Sequence, residues 1–301
     1  MHFLPTADQV DLQRGVRDLL DSRFTLEHLP HGYDANLWSA LAETGVFSLR
    51  TDLELGWVES VLVFEELGRA CVPGPLVGTF LADGVGEGPV AVVEPDQAPL
   101  LVAHLDVAAS LLVLGEEPII TRPVTGTQLN DPLDPLTPLH ELAAAPTEPI
   151  ASLPVTSDQA RRAGALLTAA LQVGLASRMT ELAVAYAKER EQFGKTIGSF
   201  QAVKHICADM FVKTELARAS LHSAAVLLDD PEVGNSARAV AGAKILADEA
   251  ASTNGRACVQ VHGGMGFTWE VPVHYFVKRA WLHATEFGTA EDHAEDLAAL
   301  L

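Results

Sequence analysis

Basic residues are scarce in this chain: 20 Lys and Arg stand against 40 Asp and Glu in 301 residues, a formal net charge of −20. A nucleic-acid binder needs a basic face to neutralise phosphates, so that class drops out. Cysteine is almost lacking. Cys71, Cys207 and Cys258 are scattered, odd in number and without metal-ligand spacing, which argues against a disulfide framework and for a reducing compartment. The histidines show no metal-ligand spacing either. There is no long apolar run: the most apolar stretch, 100–114, is broken by His104 and Asp106 and is too short for a bilayer. The opening Met1-His-Phe-Leu-Pro-Thr-Ala-Asp8 lacks a basic start and an apolar stretch, so no signal peptide is expected. With 48% apolar residues the chain is not disordered. These absences together describe a soluble, cytoplasmic protein, no partner of nucleic acid or membrane.

What is present divides the chain into three. Its length allows a sizeable core and more than one subdomain. Residues 6–70 read as helices, with Val10, Val16, Leu19 and Leu20 mostly on one face and Thr6 or Asp8 as caps. Residues 37–45 form a short amphipathic pattern stopped by Gly45. Another spans 58–70 and ends at Cys71-Val-Pro-Gly-Pro75, a break no helix crosses. Beyond 89 the period changes: 90–93, 100–103 and 109–114 are short apolar runs bounded by Gly, Pro and acidic residues, as strands are. Helical periodicity returns at Thr156-Ser-Asp158, and further helices are expected at about 200–229, 235–262 and 289–299. The expected fold is mostly α with a small central β domain. It has an N-terminal helical domain at 1–88, a β domain at 89–155 and a C-terminal bundle of long helices at 156–301.

The most informative segment is Ala187-Lys-Glu-Arg-Glu-Gln-Phe-Gly-Lys-Thr-Ile-Gly-Ser-Phe-Gln-Ala-Val-Lys204, which joins two long helical patterns through a short turn. It sets Arg190, Gln192 and Phe193 side by side. An arginine gives a planar, permanent charge for phosphate oxygens, an aromatic ring a stacking face, and glycine close backbone approach. From Lys188 to Arg218 six basic residues face four acidic ones, a locally basic stretch in an acidic chain that suits an anionic ligand. A second segment, Gln260-Val-His-Gly-Gly-Met-Gly-Phe267, places an amide before a glycine pair whose backbone N–H groups lie open to phosphate. The bland alternative pairs Arg190 with Glu189 or Glu191 and makes Gly263-Gly264 a helix cap. His262, inside that turn, reads as a packing residue. The Met and aromatic residues at 210–211 and 265–269 read as core. Glu291, Asp292, Glu295 and Asp296 read as a solvated helix face.

These two motifs, with the long helices around them and Phe64-Glu-Glu-Leu-Gly-Arg-Ala70 followed by Pro-Gly-Pro, resemble the acyl-CoA dehydrogenase family. The resemblance is strong over 156–289 and weaker before it. It implies that Arg190, Gln192 and Phe193, with Gln260, Gly263 and Gly264, reach the pyrophosphate and adenosine of an FAD lying mainly in a neighbouring subunit. The family's larger β domain and its flavin-covering loops have no obvious match in this chain.

Such enzymes remove the α-proton of an acyl thioester with a carboxylate held within about 3 Å while the β-hydride passes to flavin. Most of the family carries that Glu directly before Gly-Thr. The matching run here is Ala284-Thr-Glu-Phe-Gly-Thr289, which puts Phe287 at the base position and Glu286 one residue early. A minority places the base 26 residues before the corner arginine; counted back from Arg190 this is position 164, a glycine. Both positions lack an acid, so no catalytic residue is assigned. The pattern resembles the shorter, non-catalytic subunit of heteromeric dehydrogenases of actinobacterial steroid side-chain degradation. That resemblance implies a heterotetramer with a longer paralogue, an acyl-CoA substrate and an acceptor like electron-transfer flavoprotein. Two alternatives stay open: a self-sufficient homodimer using Glu286 as base, and a scaffold that has lost cofactor.

Overall fold

The computed structural model describes residues 5–300; the leader-peptide reading rests partly on residues 1–4, outside that range. Four helices come first: α1 (Ala7–Arg23), α2 (Ala35–Glu43), α3 (Trp57–Ala70) and α4 (Leu76–Leu81). Thr6 and Gln9 form a reciprocal capping box at the start of α1, and Asp34 caps α2. Seven short strands follow: β1 (Val90–Val93), β2 (Leu101–Ala103), β3 (Ser110–Leu114), β4 (Pro118–Thr121), β5 (Thr127–Gln128), β6 (Leu139–Glu141) and β7 (Ala151–Ser152). They make two small sheets, ordered β1-β3-β4-β7 and β2-β6-β5, with β1 and β3 the one parallel pair among the described residues. Only β1, β2 and β3 were expected. The others are two to four residues long or begin with proline, too short for an alternating pattern to stand out.

The helical pattern then returns with α5 (Ser157–Glu189), 33 residues opened by a capping box between Thr156 and Gln159. At 1.5 Å per residue it runs about 50 Å and forms the spine of the molecule. A hairpin, β8 (Glu191–Gln192) and β9 (Lys195–Thr196), connects it to α6 (Gln201–Asp229). Then come α7 (Ser236–His262), α8 (Val273–His283) and α9 (Ala290–Ala299). α8 is additional to the sequence expectation. Its buried Val273, Phe276, Val277 and Ala280 carry helical spacing, but over only 11 residues directly after a proline.

The first helices and the later bundle share one core. Alternation in the strands explains how the sheet joins it: Val90, Leu112 and Leu114 face the helices, while Ala91, Val93, Leu111 and Val113 turn to a smaller core inside the β region. α3 and α5 approach closely through paired glycines. A Cβ at Gly68 would stand 2.1 Å from the Leu171 carbonyl oxygen, and one at Gly174 the same distance from that of Glu65.

Candidate functional site

The corner motif is a two-residue hairpin. Glu191 pairs with Thr196 and Gln192 with Lys195, leaving Phe193 and Gly194 at the tip, both with positive φ (55° and 75°). That geometry is the tight hairpin turn in which glycine or asparagine is usual. Phe193 adopts it with its ring 91% exposed. Arg190 ends α5, its N–H donating to the Tyr186 carbonyl and its own carbonyl accepting from Ile197, so the hairpin is closed at its base. The Arg190 and Gln192 side chains are exposed. Among the described residues Arg190 enters no ion pair, and the acidic Glu215 and Glu65 are taken by Arg218. The bland pairing with Glu189 or Glu191 is not formed.

The second motif lies beside the first. α7 ends with exposed Gln260, and Gly263 at φ 59° turns the chain into a short helical turn over Gly263–Phe267. A Cβ at Gly263 or Gly264 would meet nothing within 4 Å, so the space over this backbone is open. His262 is buried beneath, its ring stacked on Tyr186 at 4.3 Å and its Nδ1 2.8 Å from the Cys258 carbonyl oxygen. That stack ties the last turn of α5 to the last turn of α7 and makes His262 the packing residue expected of it. An unpaired guanidinium, two exposed amides and an open glycine turn fit the pyrophosphate and adenosine end of a dinucleotide.

One expectation fails here. Met210 is core, but Phe211, Phe267 and Trp269 are exposed, Phe267 at 85%. Phe211 belongs to a row on α6 with exposed Val212 and Leu216. The periodicity is real, but the face it marks is turned outward rather than into the bundle.

Around position 287 the structure joins what the sequence keeps far apart. Phe287, at φ 54°, lays its ring on Gly164: a Cβ at 164 would stand 2.3 Å from Cε1 and 2.4 Å from Cδ1. The two positions at which an acid was sought are thus one place in space, filled by a ring against bare backbone. The loop carrying Phe287 is held at its carbonyls by His293 and Lys244. Beside it burial raises the Glu94 carboxyl above its usual range despite Arg161 and the Phe287 backbone alongside. His293 Nε2 lies 3.0 Å from the Phe287 carbonyl oxygen. Lys244, fully buried, donates to the carbonyls of His283 (3.1 Å) and Gly288 (3.4 Å) and pairs with Asp248 at 2.6 Å. Asp248 also accepts from Gln172, which donates in turn to the Ala280 carbonyl.

Glu286 looks elsewhere. Its carboxylate lies 2.6 Å from His283 Nδ1. Burial would raise its pKa, but His283, Arg279 and Lys244 together hold it below the ordinary glutamate range. Behind it Arg279 pairs with Asp134 at 2.5 Å and donates to the Val72 carbonyl, fastening α8 to the β region and the first helices. His104 is buried nearby, and burial followed by the Arg279 charge pushes its pKa down to about 3. On the outer side of Phe287 a cavity of about 600 Å³ opens between α5, α7 and α9. Sequence reasoning missed Lys244, Asp248, Gln172, His293 and Glu94. The one signal was a lysine among the alanines of α7's buried face.

Residues 160–301 match the acyl-CoA dehydrogenase C-terminal domain. Acyl-CoA dehydrogenase IpdE2 of Mycobacterium tuberculosis is 36% identical over 272 residues, covering 83% of this chain and 81% of that protein. A chain of the ChsE4-ChsE5 complex from Mycobacterium tuberculosis superposes with a TM-score of 0.80 at 23% identity, over 99% of this chain and 98% of that one. A chain of the Tcur3481-Tcur3483 steroid ACAD G363A variant does so with a TM-score of 0.81 at 23% identity, over 97% of each. At these identities the structural likeness is one of fold.

Proposed function

Because the chain belongs to the acyl-CoA dehydrogenase family, we propose that it is the base-less subunit of a heteromeric, FAD-dependent acyl-CoA dehydrogenase. The observation that carries this reading is the Phe287 ring seated on Gly164. Abstraction of an α-proton needs a carboxylate at the substrate, and a phenyl ring cannot accept a proton. Glu286 is engaged by His283, and the atoms nearest a Cβ at 164 are those of Phe287. The longer partner then supplies the base and most of the substrate pocket.

In this reading Arg190, Gln192 and Phe193, with Gln260, Gly263 and Gly264, hold the phosphate and adenosine end of the partner's FAD. The chemistry that the bound flavin supplies is acceptance of the β-hydride. Arg190 neutralises phosphate charge, the amides orient it, and the glycine turn brings backbone N–H groups within reach. The exposed row Phe211, Val212 and Leu216 and the exposed Phe193, Phe267 and Trp269 support assembly, since such surface is normally covered. The substrate class is a bulky acyl-CoA such as a steroid side-chain thioester, the acceptor resembles electron-transfer flavoprotein, and the complex is a cytoplasmic heterotetramer of two long and two short chains. Among the described residues no helix is long and apolar enough to cross a membrane.

Co-expression tests this. Alone, the chain is expected to be aggregated or colourless. With a longer acyl-CoA dehydrogenase it should purify as a yellow complex holding fewer flavins than polypeptides. A purified homomer with one FAD per chain would overturn the reading.

A further inference from the structure

We infer that Phe287 is a plug, set in place by Lys244, which shuts the inner end of the cavity between α5, α7 and α9 and keeps an acyl chain out of this subunit. The inference rests on the proposed reading that residue 287 occupies the place of the family's base. It goes beyond that reading by giving the ring an excluding role and naming the positioning residue.

The cavity, about 600 Å³, is of the size that holds small molecules; Ala165, Val240, Ala241 and Ala299 give it an apolar part, beside Arg161, Arg162 and acidic side chains. Phe287 and Gly288 belong to its lining. Ala165 lines the cavity, but Gly164, its neighbour on α5, does not. The ring stands between them as a partition, in the space where a Cβ on Gly164 would fall. Removing the ring joins the cavity to the surface of Gly164.

Placement of this ring goes against local preference. Phe287 has a left-handed backbone, which bulky side chains avoid, and Gly288 follows at φ 96°. What compensates is a set of buried polar contacts on the loop itself. Lys244 spans it by reaching the carbonyls of both His283 and Gly288, so a single ammonium fixes the two ends of the segment that carries the ring. Asp248 holds that ammonium and is itself held by Gln172, while His293 Nε2 lies against the carbonyl of residue 287. A buried lysine left without such partners is costly to the fold. Here all of its polar contacts, Asp248 apart, are spent on the loop.

The test uses the purified complex with S-octanoyl-pantetheine, a neutral probe chosen because both acidic (Asp158, Asp292, Asp296) and basic (Arg161, Arg162) side chains line the cavity. Calorimetry should count one site per long chain in the wild type. Phe287→Ala should add one site per short chain without changing the affinity of the first. Lys244→Met keeps the ring but frees it: hydrogen exchange of the 283–288 segment should rise at least tenfold, with α5 and α7 still protected. If Lys244→Met does not fold, Asp248→Asn replaces it under the same measurement. An unchanged site count in Phe287→Ala, or a wild-type chain that already binds the probe, overturns the plug. Unchanged exchange at 283–288, or equal loss of protection across the bundle, overturns the role of Lys244. Should the chain prove homomeric by mass, the heteromer fails on that ground alone. The plug is then judged by whether the count rises from zero to one per chain.

Discussion

The ring of Phe287 packs against a residue that has no side chain, Gly164, 123 positions earlier in the chain. Each explains the other. α5 tolerates a glycine in its interior because the ring fills the gap, and the ring fits because no Cβ stands at 164.

That relationship predicts a change of sign. In the otherwise native chain Gly164→Ala should destabilise by about 1–3 kcal/mol, the usual cost of overpacking a core. With Phe287→Ala already present, the same substitution should stabilise by about 0.5–1 kcal/mol, the helix-propensity gain of Ala over Gly. Urea denaturation of the four proteins in the cycle measures the coupling. Additive effects would mean that the two residues do not touch.

Arg190 is exposed and, among the described residues, carries no ion pair, so its loss should leave folding nearly unchanged. Arg190→Ala in the complex should weaken FAD retention by roughly tenfold to more than a hundredfold. That corresponds to about 1.5–3 kcal/mol for a charge-assisted contact to phosphate. Flavin titration alongside a thermal melt separates the two effects; undiminished affinity would return Arg190 to the ordinary surface.

Glu286 is the remaining acid next to the base position, and its carboxylate is committed to His283. Glu286→Gln should therefore leave most of the complex's dehydrogenase turnover intact, whereas the matching Glu→Gln in the longer partner should abolish it. A fall of several orders of magnitude from Glu286→Gln, with flavin content and folding preserved, would make this chain catalytic.

His104 gives the fold a pH dependence of known sign. Burial moves it from its ordinary value of 6.5 down to about 3, so over that window the unfolded chain binds a proton that the folded chain refuses. Its contribution is fully present above pH 6.5 and is lost as pH falls from 6.5 towards about 3. The slope is up to about 1.4 kcal/mol per pH unit. Asparagine suits the left-handed backbone at this position, φ 58°. His104→Asn should thus fold and show a flatter loss of stability between pH 6.5 and 4 in denaturant titrations. An unchanged slope would show that other groups carry the acid sensitivity.

Much of this was legible in the chain itself, for local reasons. Thr156 before an unbroken helical period announces α5, the turn residues around 190–198 announce the corner, and short apolar runs announce β1 to β3. Acid-free positions 164 and 287 are also plain in the sequence. These features depend on neighbours within a few residues, where backbone geometry and side-chain spacing act directly.

Other features belong to the tertiary structure alone. That 164 and 287 are one place, that Lys244 on α7 spans a loop some 40 residues further on, and that Phe267 and Trp269 face outward are consequences of how the helices cross. An apolar period marks a face without saying whether the bundle or a partner will cover it. A buried lysine looks like any other lysine until the carbonyls that surround it are brought together. The sequence by itself determined the long helices, β1 to β3 and the absence of an acid at 164 and 287. Packing decided that those two positions meet, with the ring filling the space over the glycine, because only close-packed side chains from distant segments show which volumes are filled.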